Sequence, residues 1–281
     1  MNAMPHVLMR RRSPTLSDPT PVIALHCSGS GAGQWRALGE ALGARHGLVT
    51  PEHYGCDGVG PWTGAHAFTL ADEAARTLQA IDRSDWKVHL VGHSYGGAVA
   101  LHAALERPGR IASLSLYEPT AFHLLKAMGE RGMPALAEIR AVAAHTAQGV
   151  ISGNYRGAAV SFIDYWSGAG AWAAMRPAAQ MAMTGWMPKA PLDFRALLDE
   201  PARAGRYAGL RIPTLIFRGE HAPAPTRLVA EALQAAMPAA RLEVVPGAGH
   251  MGPLTHGKHV NAAIVQHIER SEAWLDLAIP A

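Results

Sequence analysis

Two cysteines in 281 residues, Cys27 and Cys56, are too few for a disulfide framework. They fall in separate strand-to-loop junctions, so a reducing compartment is the default and a cytoplasmic protein is expected. One-sided charge is missing too. The formal net charge is only +3, and part of the excess sits in Arg10, Arg11 and Arg12. With no basic face or stripe, nucleic acid is not expected as a partner. No apolar run of about 18 residues occurs, which excludes a membrane span as a reading. The first 20 residues are basic without an apolar stretch behind them, so no signal peptide and no membrane partner are expected. Metal-ligand spacings, a P-loop and a dinucleotide G-x-G-x-x-G after a strand are absent, and no metal or cofactor is expected.

What is present is core. With 49% hydrophobic and 17% charged residues the chain can bury a large interior, which argues against global disorder. Residues 1–20 carry prolines and turn formers without a period and read as an N-terminal arm. Pro21–His26 then reads as a short buried strand, followed by the glycine-rich CSGSGAGQW and a helix through Arg45. A second strand spans Gly47–Thr50. Leu70, Ala74, Leu78 and Ile81 lie three or four apart, which predicts a helix over Thr69–Ile81. Strand Lys87–Gly92, helix Tyr95–Arg107 and strand Ile111–Tyr117 continue the alternation, and that rhythm predicts an α/β protein with a parallel sheet.

The rhythm stops between Thr120 and Gly209, where alanine-rich stretches broken by Gly and Pro read as an inserted helical cap. It resumes with strand Ile212–Phe217, helix Pro225–Met237, strand Arg241–Val245 and helix Lys258–Arg270. The expected division is an arm at 1–20, a core of 21–119 and 210–281, and a cap of 120–209.

The chemistry begins at Gly92-His93-Ser94-Tyr95-Gly96-Gly97, a G-x-S-x-G placed between a predicted strand and a predicted helix. A nucleophilic serine at such a turn needs small neighbours two residues away, so that strand and helix backbones can approach. In a chain with 29 glycines the motif alone would mean little; the strand before it and the helix after it give it weight. His93 reads as packing inside the elbow.

From Pro21 to Ile268 the sequence resembles the α/β-hydrolase family, in particular cap-bearing members with a VGHSYGG elbow. The resemblance implies an eight-stranded, mostly parallel sheet flanked by helices, with Ser94 as nucleophile. It also implies a late histidine as base, which here is His250 in VVPGAGHMGPL; His256, His259 and His267 are left as surface or packing residues. Oxyanion-hole N–H donors would come from Tyr95 and from Ser28, in a loop whose usual His-Gly reads His26-Cys27 here. Cys27 is expected to be a small buried hydrophobe, not a nucleophile.

The family's acid is usually an aspartate after the strand placed at Ile212–Phe217, but the sequence has Gly219-Glu220-His221-Ala222 there. Three explanations stay open: Glu118 in LYEPTAF, Glu220, or a Ser-His dyad without a carboxylate. His221 and Asp57 are weaker candidates, the first because a neutral imidazole stabilises a cation little, the second because GCDGVG suits a turn.

Met175, Met181, Met183, Met187 and three tryptophans of the cap predict an apolar lid, although Met and Trp at helical spacing also suit a core. The leading expectation is a serine hydrolase acting through an acyl-serine on a small to medium apolar ester or related carbonyl substrate, a small molecule. Alternatives are carbon–carbon bond hydrolysis or cofactor-free haloperoxidase or perhydrolase chemistry on the same fold, and a ligand-binding protein that has lost turnover. A dehalogenase would need an Asp nucleophile, which Ser94 excludes. A homodimer is allowed for.

Overall fold

A computed structural model describes residues 20–277; the expected arm, apart from Thr20, lies outside the described residues. The first half runs β1 (Val22–Leu25), α1 (Arg36–Leu42), β2 (Leu48–Val49), α2 (Leu70–Arg83), β3 (Val88–His93), α3 (Tyr95–Glu106) and β4 (Ile111–Tyr117). Between β4 and the next strand come only helices and turns: α4 (His123–Ala127), α5 (Met133–Ile151), α6 (Tyr155–Ser167), α7 (Ala171–Ala174), α8 (Pro177–Trp186), α9 (Ala190–Leu198) and α10 (Ala204–Ala208). The chain then closes with β5 (Thr214–Gly219), α11 (Ala224–Ala236), β6 (Ala240–Val245), α12 (Gly252–Thr255) and α13 (Gly257–Leu277).

Among the described residues the sheet has six strands, all parallel, in the order β2-β1-β3-β4-β5-β6. The resemblance implies eight strands in a chain that looks short of the usual N-terminal hairpin, and the residues before Thr20 lie outside the described ones. Period-2 alternation divides the central strands between two cores. Ile23, Leu25, Leu90, Leu114, Leu116 and Ile216 face α2, α3, α11 and the helices inserted after β4. Val22, Ala24, Val91, Leu215 and Phe217 face α1 and α13. Burial on both faces is why these strands are apolar runs and not alternating ones.

Local signals explain where elements begin and end. Thr69 and Asp72 form a reciprocal capping box that starts α2. The α-helix after the glycine-rich loop ends at Leu42, where Gly43 turns at φ 62°, and a 3₁₀ turn over Gly43–Arg45 carries the helical stretch to the expected Arg45. β5 starts at Thr214, not Ile212, since Pro213 has no N–H for the ladder, and it runs on to Gly219. That extension brings the Gly219 N–H to the carboxyl end of β4. No helix among the described residues is long and apolar enough to cross a membrane.

Candidate active site

Ser94 sits between β3 and α3 at φ 56°, ψ −118°, a conformation costly for a residue with a side chain. The surrounding glycines permit it. A Cβ on Gly92 would lie 2.6 Å from the Gly96 carbonyl oxygen, and one on Gly96 would lie 2.3 Å from the carbonyl oxygen of Leu25. The turn is pinned from β4, whose Tyr117 carbonyl accepts from the Ser94 N–H at 2.9 Å. The Ser94 hydroxyl therefore stands at the carboxyl edge of the sheet at the floor of a cavity.

His250, in the loop between β6 and α12, places Nε2 2.9 Å from Ser94 Oγ. Its Nδ1 lies 2.7 Å from Glu118 Oε2. A carboxylate only accepts, so Nδ1 carries the proton and Nε2 is free to accept from the serine. Glu118 directly follows β4, has φ 41° and is fully buried. Its Oε1 accepts from the Gly219 N–H at 2.9 Å, and its Oε2 accepts from the Thr226 hydroxyl at 2.7 Å. Burial alone would raise its carboxyl, but the bonds from His250, Gly219 and Thr226 outweigh burial and hold it below the usual value.

The other acid candidates lie elsewhere. Glu220 turns outward and accepts from the Gly247 N–H at 2.8 Å, securing a turn instead of His250. His221 is exposed, with its N–H on the Ala248 carbonyl at 2.9 Å, and Asp57 is exposed in a turn. Of the remaining late histidines, His256 meets Thr255 Oγ1 at 2.8 Å and His259 meets Glu243 at 3.0 Å. His267 donates to the Pro213 carbonyl at 3.2 Å.

A second layer joins parts of the site that the sequence leaves unconnected. The Cys27 N–H donates to Gln34 Oε1 at 3.0 Å, and Gln34 Nε2 donates to His93 Nδ1 at 3.1 Å. His93 Nε2–H donates to the His250 carbonyl at 2.8 Å. Burial, then the nearby His250, pushes His93 well below the usual histidine value, which keeps it neutral and fixes this donor order. The sequence carries no signal for Gln34, and His93, expected as packing inside the elbow, also holds the backbone of His250. Burial drives the Cys27 thiol up to about 12, which keeps it a protonated hydrophobe.

Ser28 and Tyr95 line the same cavity as Ser94 and His250. Tyr95 opens α3, so its N–H has no partner within the helix. The cavity is partly open to solvent, and its walls include Phe122, Phe162, Trp166, Trp186 and Phe194. The Trp166 ring lies 4.3 Å from the His250 ring, tilted by 35°. The methionines divide differently from the expected lid: Met183 and Met187 are core, and Met181 is 72% exposed. Among the described residues no group of three or more His, Cys, Asp or Glu could hold a metal ion.

Comparison with known proteins agrees with this architecture. Residues 22–263 match the profile of the family described as "Alpha/beta hydrolase family". RutD of Azorhizobium caulinodans, whose name assigns it to carbamate hydrolysis, is 37% identical over 98 residues, 34% of this chain and 36% of that protein. Lipase LipV of Mycobacterium tuberculosis is 33% identical over 104 residues, 37% of this chain and 38% of LipV. These matches span little more than a third of the relatives' length. MGS-M2, an α/β hydrolase from a Medee basin deep-sea metagenome library, superposes with a TM-score of 0.74 over 92% of both chains at 15% identity, a likeness of fold.

Proposed function

Because the chain belongs to the α/β-hydrolase family, we propose that it is a serine hydrolase that cleaves a small to medium, largely apolar ester or related carbonyl substrate through an acyl-serine. The observation that carries the reading is the continuous Ser94–His250–Glu118 chain, with contacts of 2.9 and 2.7 Å. Ser94 Oγ attacks the carbonyl carbon while His250 Nε2 takes its proton. Glu118, ionised and held by three donors, orients the ring and stabilises the imidazolium. The oxygen of the tetrahedral intermediate is met by the N–H groups of Ser28 and Tyr95. His250 then protonates the departing group, and water reverses the sequence to release the acid.

The aromatic walls support an apolar acyl or alcohol part. The names of the two relatives fit acyl transfer from oxygen or nitrogen. The case for a non-catalytic binding protein rests on Ala222; the contact of Glu118 with His250 at 2.7 Å supports the hydrolase reading against it. The test is fluorophosphonate labelling with hydrolysis of p-nitrophenyl butyrate. Labelling and turnover should vanish in Ser94→Ala and fall steeply in His250→Ala. A folded wild type that neither labels nor turns over esters would refute the proposal.

A further inference from the structure

The two residues read as oxyanion donors share something beyond the cavity wall. The Ser28 hydroxyl donates to Asp193 Oδ2 at 2.6 Å, and the Tyr95 hydroxyl donates to Glu73 Oε2 at 2.9 Å. Lys189 Nζ donates to both carboxylates, 2.8 Å to Glu73 Oε2 and directly to Asp193 Oδ1. Its ammonium also lies 4.9 Å from the centre of the Tyr95 ring and 4.3 Å from that of Phe68. All three charged side chains are buried. On its far side Glu73 Oε1 accepts from the Tyr54 N–H at 3.0 Å and faces His53 Nδ1 at 3.5 Å.

The origins of these groups matter. Glu73 belongs to α2 of the sheet-bearing core, whereas Lys189 and Asp193 lie one helical turn apart where α9 begins, in the helical segment inserted after β4. A buried ion cluster is a poor source of net stability, because desolvating the charges cancels most of their attraction. What this one provides is geometry: the side chains of the two residues whose N–H groups are the proposed oxyanion donors are tied, through one carboxylate each, to a single ammonium group. Oxyanion donors are effective only within a few tenths of an ångström of the developing charge.

We propose that Lys189, together with Asp193 and Glu73, is a positioning clamp for the oxyanion hole, holding the side chains of Ser28 and Tyr95 and thereby setting the spacing of their two N–H groups. The proposal rests on the acyl-serine reading above. It makes the seating of the inserted helices a condition of transition-state stabilisation, although none of the three charged groups touches the reacting atoms.

The decisive variants are Ser28→Ala and Tyr95→Phe, which remove only the tethered hydroxyls and keep both backbone donors and the ion cluster. Each should lower kcat for p-nitrophenyl butyrate by about tenfold, less than deletion of a whole donor, with KM changed by no more than about threefold. The rate of Ser94 modification by the fluorophosphonate should fall in parallel, since the phosphonyl oxygen occupies the same hole, while Tm stays close to that of the wild type. Lys189→Met should show the same kcat loss; if it fails to fold, the two hydroxyl variants decide. The clamp is refuted if both hydroxyl variants label and turn over within twofold of the wild type, if their loss lies in KM alone, or if folded Lys189→Met reacts at the wild-type rate. A folded wild type with no label at Ser94 would instead refute the acyl-serine reading, and the clamp with it.

Discussion

Glu118→Gln isolates the charge of the buried acid with almost no change of shape. Glu118 accepts three hydrogen bonds, one at Oε1 from Gly219 and two at Oε2 from His250 and Thr226. A glutamine cannot satisfy the same set. With its amide oxygen left toward Gly219, its NH₂ faces His250 and drives the imidazole to the tautomer that has no lone pair for the Ser94 proton. With the amide flipped, the NH₂ opposes the Gly219 N–H inside a dry site, leaving a buried donor unpaired. Either arrangement also loses the charge that stabilises the imidazolium. The corresponding change in a related triad costs about four powers of ten in kcat. A fall of about 10³- to 10⁴-fold is therefore expected, equivalent to about 4–5.5 kcal/mol at 1.36 kcal/mol per decade. Glu118 is not part of the cavity lining, so KM should hardly move. The assay is steady-state hydrolysis of p-nitrophenyl butyrate from pH 6 to 9, with circular dichroism to verify folding. A folded variant whose kcat stays within tenfold of the wild type would refute the assignment of Glu118 as the acid.

Stability should decline as pH falls from 7 to 5. Burial holds His26 at about 3 and His267 at about 4, and pushes His93 and His89 down as well. The unfolded chain takes up protons below about pH 6.5 that the native state refuses, so each such histidine removes up to about 1.4 kcal/mol per pH unit. His267→Gln, remote from the site, should flatten the Tm-against-pH curve over this range; an unchanged slope would contradict the burial argument. The lowered carboxyl of Glu118 acts in a separate window. Its contribution is complete above its usual value of 4.5 and is lost as pH drops through the lower native value. Gly96→Ala should prevent folding or cost several times the usual 1–3 kcal/mol of overpacking, because its Cβ would meet backbone of β1 at 2.3 Å; denaturant unfolding is the check. Trp186→Ala should shift acyl-chain preference toward longer esters, by up to about fourfold in kcat/KM for each methylene that gains apolar contact, measured over a C2–C10 series.

Much of this was legible in the sequence, for identifiable reasons. Ser94 announces itself because its turn needs glycine on both sides, Gly92 against the backbone of Gly96 and Gly97 within the elbow and Gly96 against the backbone of β1. His250 follows from the resemblance, which implies a late histidine in the loop after the last strand. The acid stayed open because choosing between Glu118 and Glu220 depends on where β5 ends beside β4, and Pro213 moved that strand two residues along the chain. Gln34 and His93 are 59 residues apart, and Lys189 and Glu73 are 116 apart; no local period records such contacts. Lys189 and Asp193 carried a misleading signal, since opposite charges four apart on a helix ordinarily mark a solvated face. Met and Trp at helical spacing fit a core as well as a lid, and both occur: Met183, Met187 and Trp172 are buried in the core, while Trp166 and Trp186 line the cavity.

Ser94 and Glu118, the nucleophile and acid of the proposed mechanism, belong to one strand–helix–strand unit spanning Val88 to Glu118. During synthesis both would leave the ribosome before any residue of the inserted helices, and His250 would join them much later. In that mechanism the stretch after β5 serves as scaffold: the Gly219 N–H and the Thr226 hydroxyl, which hold the Glu118 carboxylate, bracket a turn at 220–223. Evolution could lengthen or redecorate that turn without rebuilding the reaction centre.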